Sequence, residues 1–152
     1  MATYLSRTLA TNGEYKLTIS MWVKIAAVQE QDLMTAYSSG SLWASLRFGS
    51  DGTLRFQDYR SSYLLNMTTN AQYKDTNAWY HIVANYDASL ATPTAKLYVN
   101  GEEPSLSSSV KYSQNPTTSW GSAYTFRIGE GSTLGGQNFN GLISDAYFIQ
   151  GY

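Results

Sequence analysis

Few side chains in this sequence could carry acid–base, nucleophilic or metal chemistry. There is one histidine, His81, in the run "AWYHIVANYD", and no cysteine, with Asp and Glu together numbering 11. Thiol nucleophiles, thiolate metal sites and disulfides are excluded, while the cellular compartment stays open. A zinc site would need further His or Cys ligands, and a catalytic histidine would need a nucleophile or carboxylate beside it. Strand alternation places His81 with Trp79 and Val83, and Tyr80, Ile82, Ala84 and Tyr86 on the opposite face. The expectation is an amphipathic strand residue bonded to a neighbouring backbone or hydroxyl group.

The carboxylates are equally sparse as a reactive set. Retaining glycoside hydrolysis needs two carboxyl groups about 5 to 5.5 Å apart. The nearest arrangement is Glu30 and Asp32 in "EQDLMT", with no second Glu close behind, while adjacent Glu102 and Glu103 would point to opposite faces beside a turn. The chain is therefore expected not to be an enzyme. Calcium needs only oxygen ligands, and Asp51, Asp58, Asp87 and Asp145 are its weak candidates, without any clustered Asp-x-Asp loop. Asp51 reads better as a turn residue, Asp87 as a strand-end cap and Asp145 as a strand residue needing a partner. No other cofactor is expected.

Binding chemistry is better supplied. A glycan site uses aromatic faces against sugar C–H surfaces and short polar groups for the hydroxyls. The candidates are Trp43, Tyr59, Arg60 and Tyr63 in mid-chain, and Asn115, Trp120 and Tyr124 later. The competing role for such residues is core packing or a subunit interface. Core packing is expected for Trp22 and Trp79, and an exposed position for Trp120, which follows the polar run "NPTTS". "GEGSTLGG" is glycine-rich but lacks the lysine and helix of a phosphate loop, so it reads as a turn. Asn66 in "NMT" matches the N-glycosylation pattern, which matters only in a eukaryotic secretory pathway.

The elements that must position these residues are strands. The 152 residues hold 13 Tyr, 12 Gly and only 3 Pro, with 14% charged residues, a balance that suits pleated, half-buried strands joined by turns. In "YKLTISMWVKIA", Leu17, Ile19, Met21 and Val23 share one face and Thr18, Ser20, Trp22 and Lys24 the other. "LMTAYSS" reads as a short strand. "SLWASLRFGSDGTLRFQDY" reads as a hairpin turning at Asp51-Gly52, and "YLLNMTT" as a further strand. "WYHIVANYD" and "AKLYVNGEEP" alternate again, the latter ending in an Asn100-Gly101 hairpin signal whose return strand Pro104 keeps short or at an edge. Residues 105–122 read as a long loop or edge strand. "YTFRIGEG" and "FNGLISDAYFIQ" close the chain as strands joined by "GSTLGGQN", and "ATYLSRT" is expected beside "LISDAYFI". About ten short strands without a convincing helix indicate an all-β fold, a two-sheet antiparallel sandwich or jelly roll, as a single domain over 1–152.

Net charge is -1 from 10 Lys and Arg against 11 Asp and Glu, with no basic run, so nucleic acid is not an expected partner. No apolar run approaches the roughly 18 residues of a membrane helix, and "MATYLSRTLATNG" lacks the apolar stretch of a signal peptide. Membrane insertion is not expected, and any export would use another route or an upstream segment.

Six segments in order, "YLSRT", "TISMWVK", "DGTLRF", "DTNAWYHIVANYD", "KLYVNGEE" and "FNGLISDAYFIQG", resemble the laminin-G-like branch of the concanavalin A-like jelly-roll superfamily over nearly the whole chain. The closest variety, with "YLSRT" and "AWYHIVANYD", resembles domains of bacteriophage structural proteins, marine ones in particular. The resemblance implies two stacked sheets, a face that often binds glycans or proteins, and in some relatives calcium held by an Asp with loop carbonyls. Related glucanases carry Glu-x-Asp and a second Glu on one strand, which Glu30 and Asp32 do not complete. The expectation is a non-catalytic, virion-associated module, a capsid decoration or fibre domain contacting other virion proteins, copies of itself or a cell-surface glycan. The alternative is a free-standing or excised extracellular lectin-like domain, and the remote one a glycoside hydrolase.

Overall fold

The computed structural model describes residues 4–8, 15–131 and 137–151. Among them are eleven strands: β1 (Leu5–Thr8), β2 (Lys16–Ile25), β3 (Gln31–Ser39), β4 (Leu42–Phe48), β5 (Thr53–Arg60), β6 (Tyr63–Gln72), β7 (Tyr80–Asp87), β8 (Thr94–Val99), β9 (Leu106–Val110), β10 (Thr125–Ile128) and β11 (Gly141–Gln150). They form a seven-stranded sheet ordered β1-β10-β3-β4-β5-β6-β9 and a four-stranded sheet ordered β11-β2-β7-β8. All pairings are antiparallel. The fold is an all-β sandwich of two sheets, as the alternation predicts.

Period-two alternation sets the inner faces. On β2, Leu17, Ile19, Met21, Val23 and Ile25 are buried, and on β7 Tyr80, Ile82, Ala84 and Tyr86. The seven-stranded sheet meets them with Ala44, Leu46 and Phe48 of β4, Leu54 and Phe56 of β5, and Leu65 and Met67 of β6. Each large apolar side chain so buried contributes about 1.5 to 3 kcal/mol.

The turns follow the local chemistry. Gly52 has φ +84° between β4 and β5, where Asp51 Oδ1 accepts the Thr53 N–H at 3.1 Å and the Thr53 hydroxyl at 2.7 Å. Asn100 (φ +53°) and Gly101 (φ +84°) provide the paired left-handed conformations of a two-residue turn, closed by Val99 and Glu102. Beyond it only the Val99–Glu102 bridge forms. The chain then crosses to the other sheet as the edge strand β9, so 105–122 is part strand and part loop.

The loop after β9 closes one part of the core, and Asp58 of β5 anchors it. The Asp58 carboxylate is buried and faces inward, accepting the Tyr112 hydroxyl at 2.7 Å and the Ser119 N–H at 2.8 Å. Thr118 Oγ1 accepts the Gly121 N–H at 2.9 Å and lies 3.3 Å from the Tyr86 hydroxyl. Held by these bonds, the segment inserts Trp120 among Phe56, Phe126 and Phe148, ring centroids 5.9 to 6.2 Å away, while Asp58 Oδ1, Ser119 Oγ and Trp120 Nε1 stay buried without a hydrogen-bond partner. Trp120 is 0% exposed, which corrects the expectation of an exposed ring in a polar loop. Trp22 (41%) and Trp79 (40%) are the exposed tryptophans, against the expectation of core packing: Trp22 lies on the outer side of β2 and Trp79 just before β7.

The chain ends also differ from expectation. β1 pairs with β10 and β11 pairs with β2, so the two belong to different sheets. Tyr4 and Leu5 instead face residues 141–146 across a cleft of about 540 Å3. Most of the "GSTLGGQN" connection lies outside the described residues.

Candidate functional site

Strand register on the seven-stranded sheet places side chains in rows across its outer face. One row runs Thr125, Tyr37, Trp43, Tyr59, Tyr63 across β10, β3, β4, β5 and β6. The next runs Arg127, Thr35, Ser45, Gln57, Asn66, and a third runs Asp32, Arg47, Arg55, Thr68, Ser108. The face thus passes from aromatic through amide and hydroxyl to charged groups within three rows.

Three of the expected binding residues meet in the first row. Trp43 and Tyr59 stack with centroids 5.4 Å apart and an interplanar angle of 19°, and Tyr63 stands edge-on to both at 6.2 and 5.2 Å. Such rings hold one another's orientation, which lowers the entropy a ligand must remove on stacking. The Arg47 guanidinium lies 5.5 Å from the Trp43 ring centroid and joins this group to the polar rows.

From Arg47 a ladder of hydrogen bonds crosses four strands. Arg47 Nε donates to Gln57 Oε1 (3.2 Å), Gln57 Nε2 to Asn66 Oδ1 (2.8 Å), and Asn66 Nδ2 to Ser108 Oγ (3.0 Å). Arg47 Nη1 also donates to Gln137 Oε1 at 3.1 Å and pairs with Glu30 at 3.0 Å. Each amide thus has a fixed orientation. The Asn66 of "NMT" is a member of this ladder, its amide engaged on both sides.

Beside the ladder lies a cluster of buried polar side chains. Asp32 is 3% exposed, and its Oδ1 has no partner, as is true of Ser45 Oγ. Burial pushes the Asp32 carboxyl up to about 7, with Arg47 opposing and Glu30 adding to the rise. Arg127 Nε lies 3.0 Å from Glu130 Oε2 without hydrogen-bond alignment, and Arg127 Nη1 is unpartnered.

The remaining expected residues do not join the aromatic row. Arg60 Nη1 donates to the Tyr124 hydroxyl at 3.0 Å and the guanidinium lies 5.9 Å from that ring, a separate pair. Asn115 is exposed with φ +48° and its N–H donates to Ala88 O, beyond the end of β7. Trp120 in the core presents no free face. Sequence reasoning missed Tyr37, Arg47, Gln57 and Asn66. Their signal was alternation with Trp43 and Tyr59 on paired strands, which becomes a site only once register is known.

The four aspartates named for calcium do not converge. Asp51 holds its turn, with Thr53 lowering its carboxyl below the usual range, and Asp87 caps β7, lowered chiefly by Ser89 and paired with Lys16 at 3.4 Å. Asp58 is buried, its carboxyl raised by that burial, and Asp145 lies on β11 of the other sheet. No group of three His, Cys, Asp or Glu that could hold a metal occurs among the described residues. His81 sits on the outer face of β7, its Nε2 3.1 Å from Ser20 Oγ, as expected of a hydrogen-bonded strand residue.

The family profile described as "Concanavalin A-like lectin/glucanases superfamily" matches residues 2–150. The chain belongs to this superfamily. Among solved members of this fold, domain 4 of AbnA, an extracellular arabinanase from Geobacillus stearothermophilus solved with arabinotriose, is similar at 19% identity and TM-score 0.68, covering 99% of this chain and 76% of that one. Domains LG4-5 of the mouse laminin alpha1 chain are similar at 16% identity and TM-score 0.67, covering 98% and 40%. The SAP-like pentraxin of Limulus polyphemus is similar at 18% identity and TM-score 0.63, covering 94% and 68%. No curated protein matches the chain in sequence. At these identities the concanavalin A-like likeness is one of fold.

Proposed function

We propose that this chain is a non-catalytic, lectin-like module that binds a glycan on the outer face of its seven-stranded sheet. The observation that carries the proposal is the stacked Trp43–Tyr59–Tyr63 group beside the Arg47–Gln57–Asn66–Ser108 ladder. A pyranose or furanose presents a C–H surface to the rings and hydroxyls to the amide and guanidinium groups, the mix of apolar wall and few oriented polar groups that small-ligand sites use. The arabinotriose bound by the similar arabinanase domain supports this ligand class.

The non-catalytic reading rests on access to the carboxylates: Asp32 is 3% exposed and Glu30 is paired with Arg47 at 3.0 Å, so the two do not present a pair of free carboxyl groups to a glycosidic bond. A glycan array followed by calorimetry, with and without calcium, tests binding. Trp43→Ala is expected to weaken the selected glycan at least about tenfold, or about 1.4 kcal/mol. Unchanged affinity would overturn the site. Turnover of a β-glucan that disappears in Glu30→Gln would overturn the non-catalytic reading.

The biological setting we propose is a virion surface, as a capsid decoration or fibre domain contacting other virion proteins or copies of itself. The likeness of "YLSRT" and "AWYHIVANYD" to phage structural domains favours it over a free extracellular lectin. Mass spectrometry of purified particles from the source tests it; absence of the protein from them would contradict it.

A further inference from the structure

A second aromatic-lined cleft lies on the four-stranded sheet, built from other strands than the proposed glycan face. Trp22 on the outer face of β2 and Trp79 before β7 line an open cleft of about 360 Å3 with Ser144 and Asp145 of β11. Trp22 is steadied from one side by His81, its cross-strand neighbour, whose ring stacks on it with centroids 4.8 Å apart. That leaves an oriented aromatic wall, and Trp79 supplies a second.

Asp145 is delivered to this cleft by an irregularity in β11. Ser144 pairs with Trp22 and Tyr147 with Ser20, so Asp145 and Ala146 together oppose Met21 alone. Asp145 takes φ +50°, a conformation rare outside glycine, and bulges of this kind re-aim side chains. Its carboxylate accepts the Ser144 hydroxyl at 2.9 Å, and among the described residues it forms no ion pair with Lys or Arg. Lys24, next along the outer face of β2, does not line the cleft.

We infer that this cleft binds an organic cation, a quaternary or methylated ammonium group, held between Trp22 and Trp79 with Asp145 as its counter-charge. Indole faces attract a poorly hydrated cation through the ring quadrupole, and a carboxylate beside them neutralises it. A neutral sugar would find little beyond one serine hydroxyl and this carboxylate to orient it, and an apolar partner would leave Asp145 without a role.

The test is titration of the intact protein with choline, and separately with its uncharged isostere 3,3-dimethyl-1-butanol, following the indole N–H signals by NMR. Choline is expected to saturate, shifting the Trp22 and Trp79 signals, with the isostere at least about tenfold weaker. Asp145→Asn, which keeps a residue tolerant of positive φ, is expected to weaken choline about tenfold. Trp79→Ala should abolish saturation. Trp43→Ala should leave choline binding unchanged, so this site and the glycan face fail separately. Absence of saturation, equal binding of the isostere, or full affinity in Asp145→Asn would each overturn the inference.

Discussion

Asp32 makes the stability of this protein depend on pH in a direction opposite to that of a salt-bridged carboxylate. Buried beneath Gln137 and Gly131, with Arg47 and Glu30 as its charged neighbours, it is raised from 3.8 to about 7. Between those values the folded state keeps the proton and the unfolded chain releases it. The stabilising contribution of the protonated group is therefore complete below about pH 4 and is lost as pH rises to about 7. At about 1.4 kcal/mol per pH unit, an interval of about three units amounts to about 4 kcal/mol. Asp32→Asn is neutral throughout and lacks this loss, so its stability relative to the unsubstituted protein should climb by up to about 4 kcal/mol between pH 4 and 8. Urea unfolding followed by tryptophan fluorescence at half-unit pH steps reads the effect as a divergence of midpoints of about 2 M, for a slope of about 2 kcal/mol/M. Midpoints of the two proteins that run parallel across this range would refute the reasoning.

Three further outcomes follow from packing. Trp120→Ala removes a wholly buried indole from among three phenylalanines and should cost about 3 to 5 kcal/mol, read as a lowered urea midpoint; a cost under about 1 kcal/mol would mean that the ring is not in the core. Tyr112→Phe leaves the buried Asp58 with the Ser119 N–H as its remaining donor and should cost about 1 to 3 kcal/mol in the same assay. Gly141→Ala would place a Cβ 2.1 Å from Lys24 O at the start of the β11–β2 ladder. Its expected result is lost hydrogen-exchange protection along β11 with β7 and β8 retained, and full protection of β11 would contradict it.

The sandwich was legible in the sequence because period-two alternation is a property of single strands. Leu17 through Val23 and Tyr80 through Tyr86 show their inner faces without any knowledge of partners. Trp120 was not legible for the complementary reason. Its segment has no periodicity, and the polar residues that made it look exposed, Thr118 and Ser119, are buried because Asp58 and the Tyr86 hydroxyl meet them from distant strands. The aromatic half of the candidate site, Trp43, Tyr59 and Tyr63, could be named from residue type. Its polar half could not, since Gln57 and Asn66 become a ladder only through the β5–β6 register. Trp22 was placed on the correct face of β2 by alternation, but nothing local to that strand shows whether another layer covers it.

The central claim is that the aromatic row and the polar ladder act together as one glycan-binding face. The most direct test is NMR mapping of the complex with the glycan that an array selects. Saturable shifts of the Trp43 indole N–H and the Gln57 and Asn66 side-chain amides, without shifts at Trp22 and Trp79, are the predicted result. Saturable binding that leaves Trp43, Gln57 and Asn66 unmoved would contradict it.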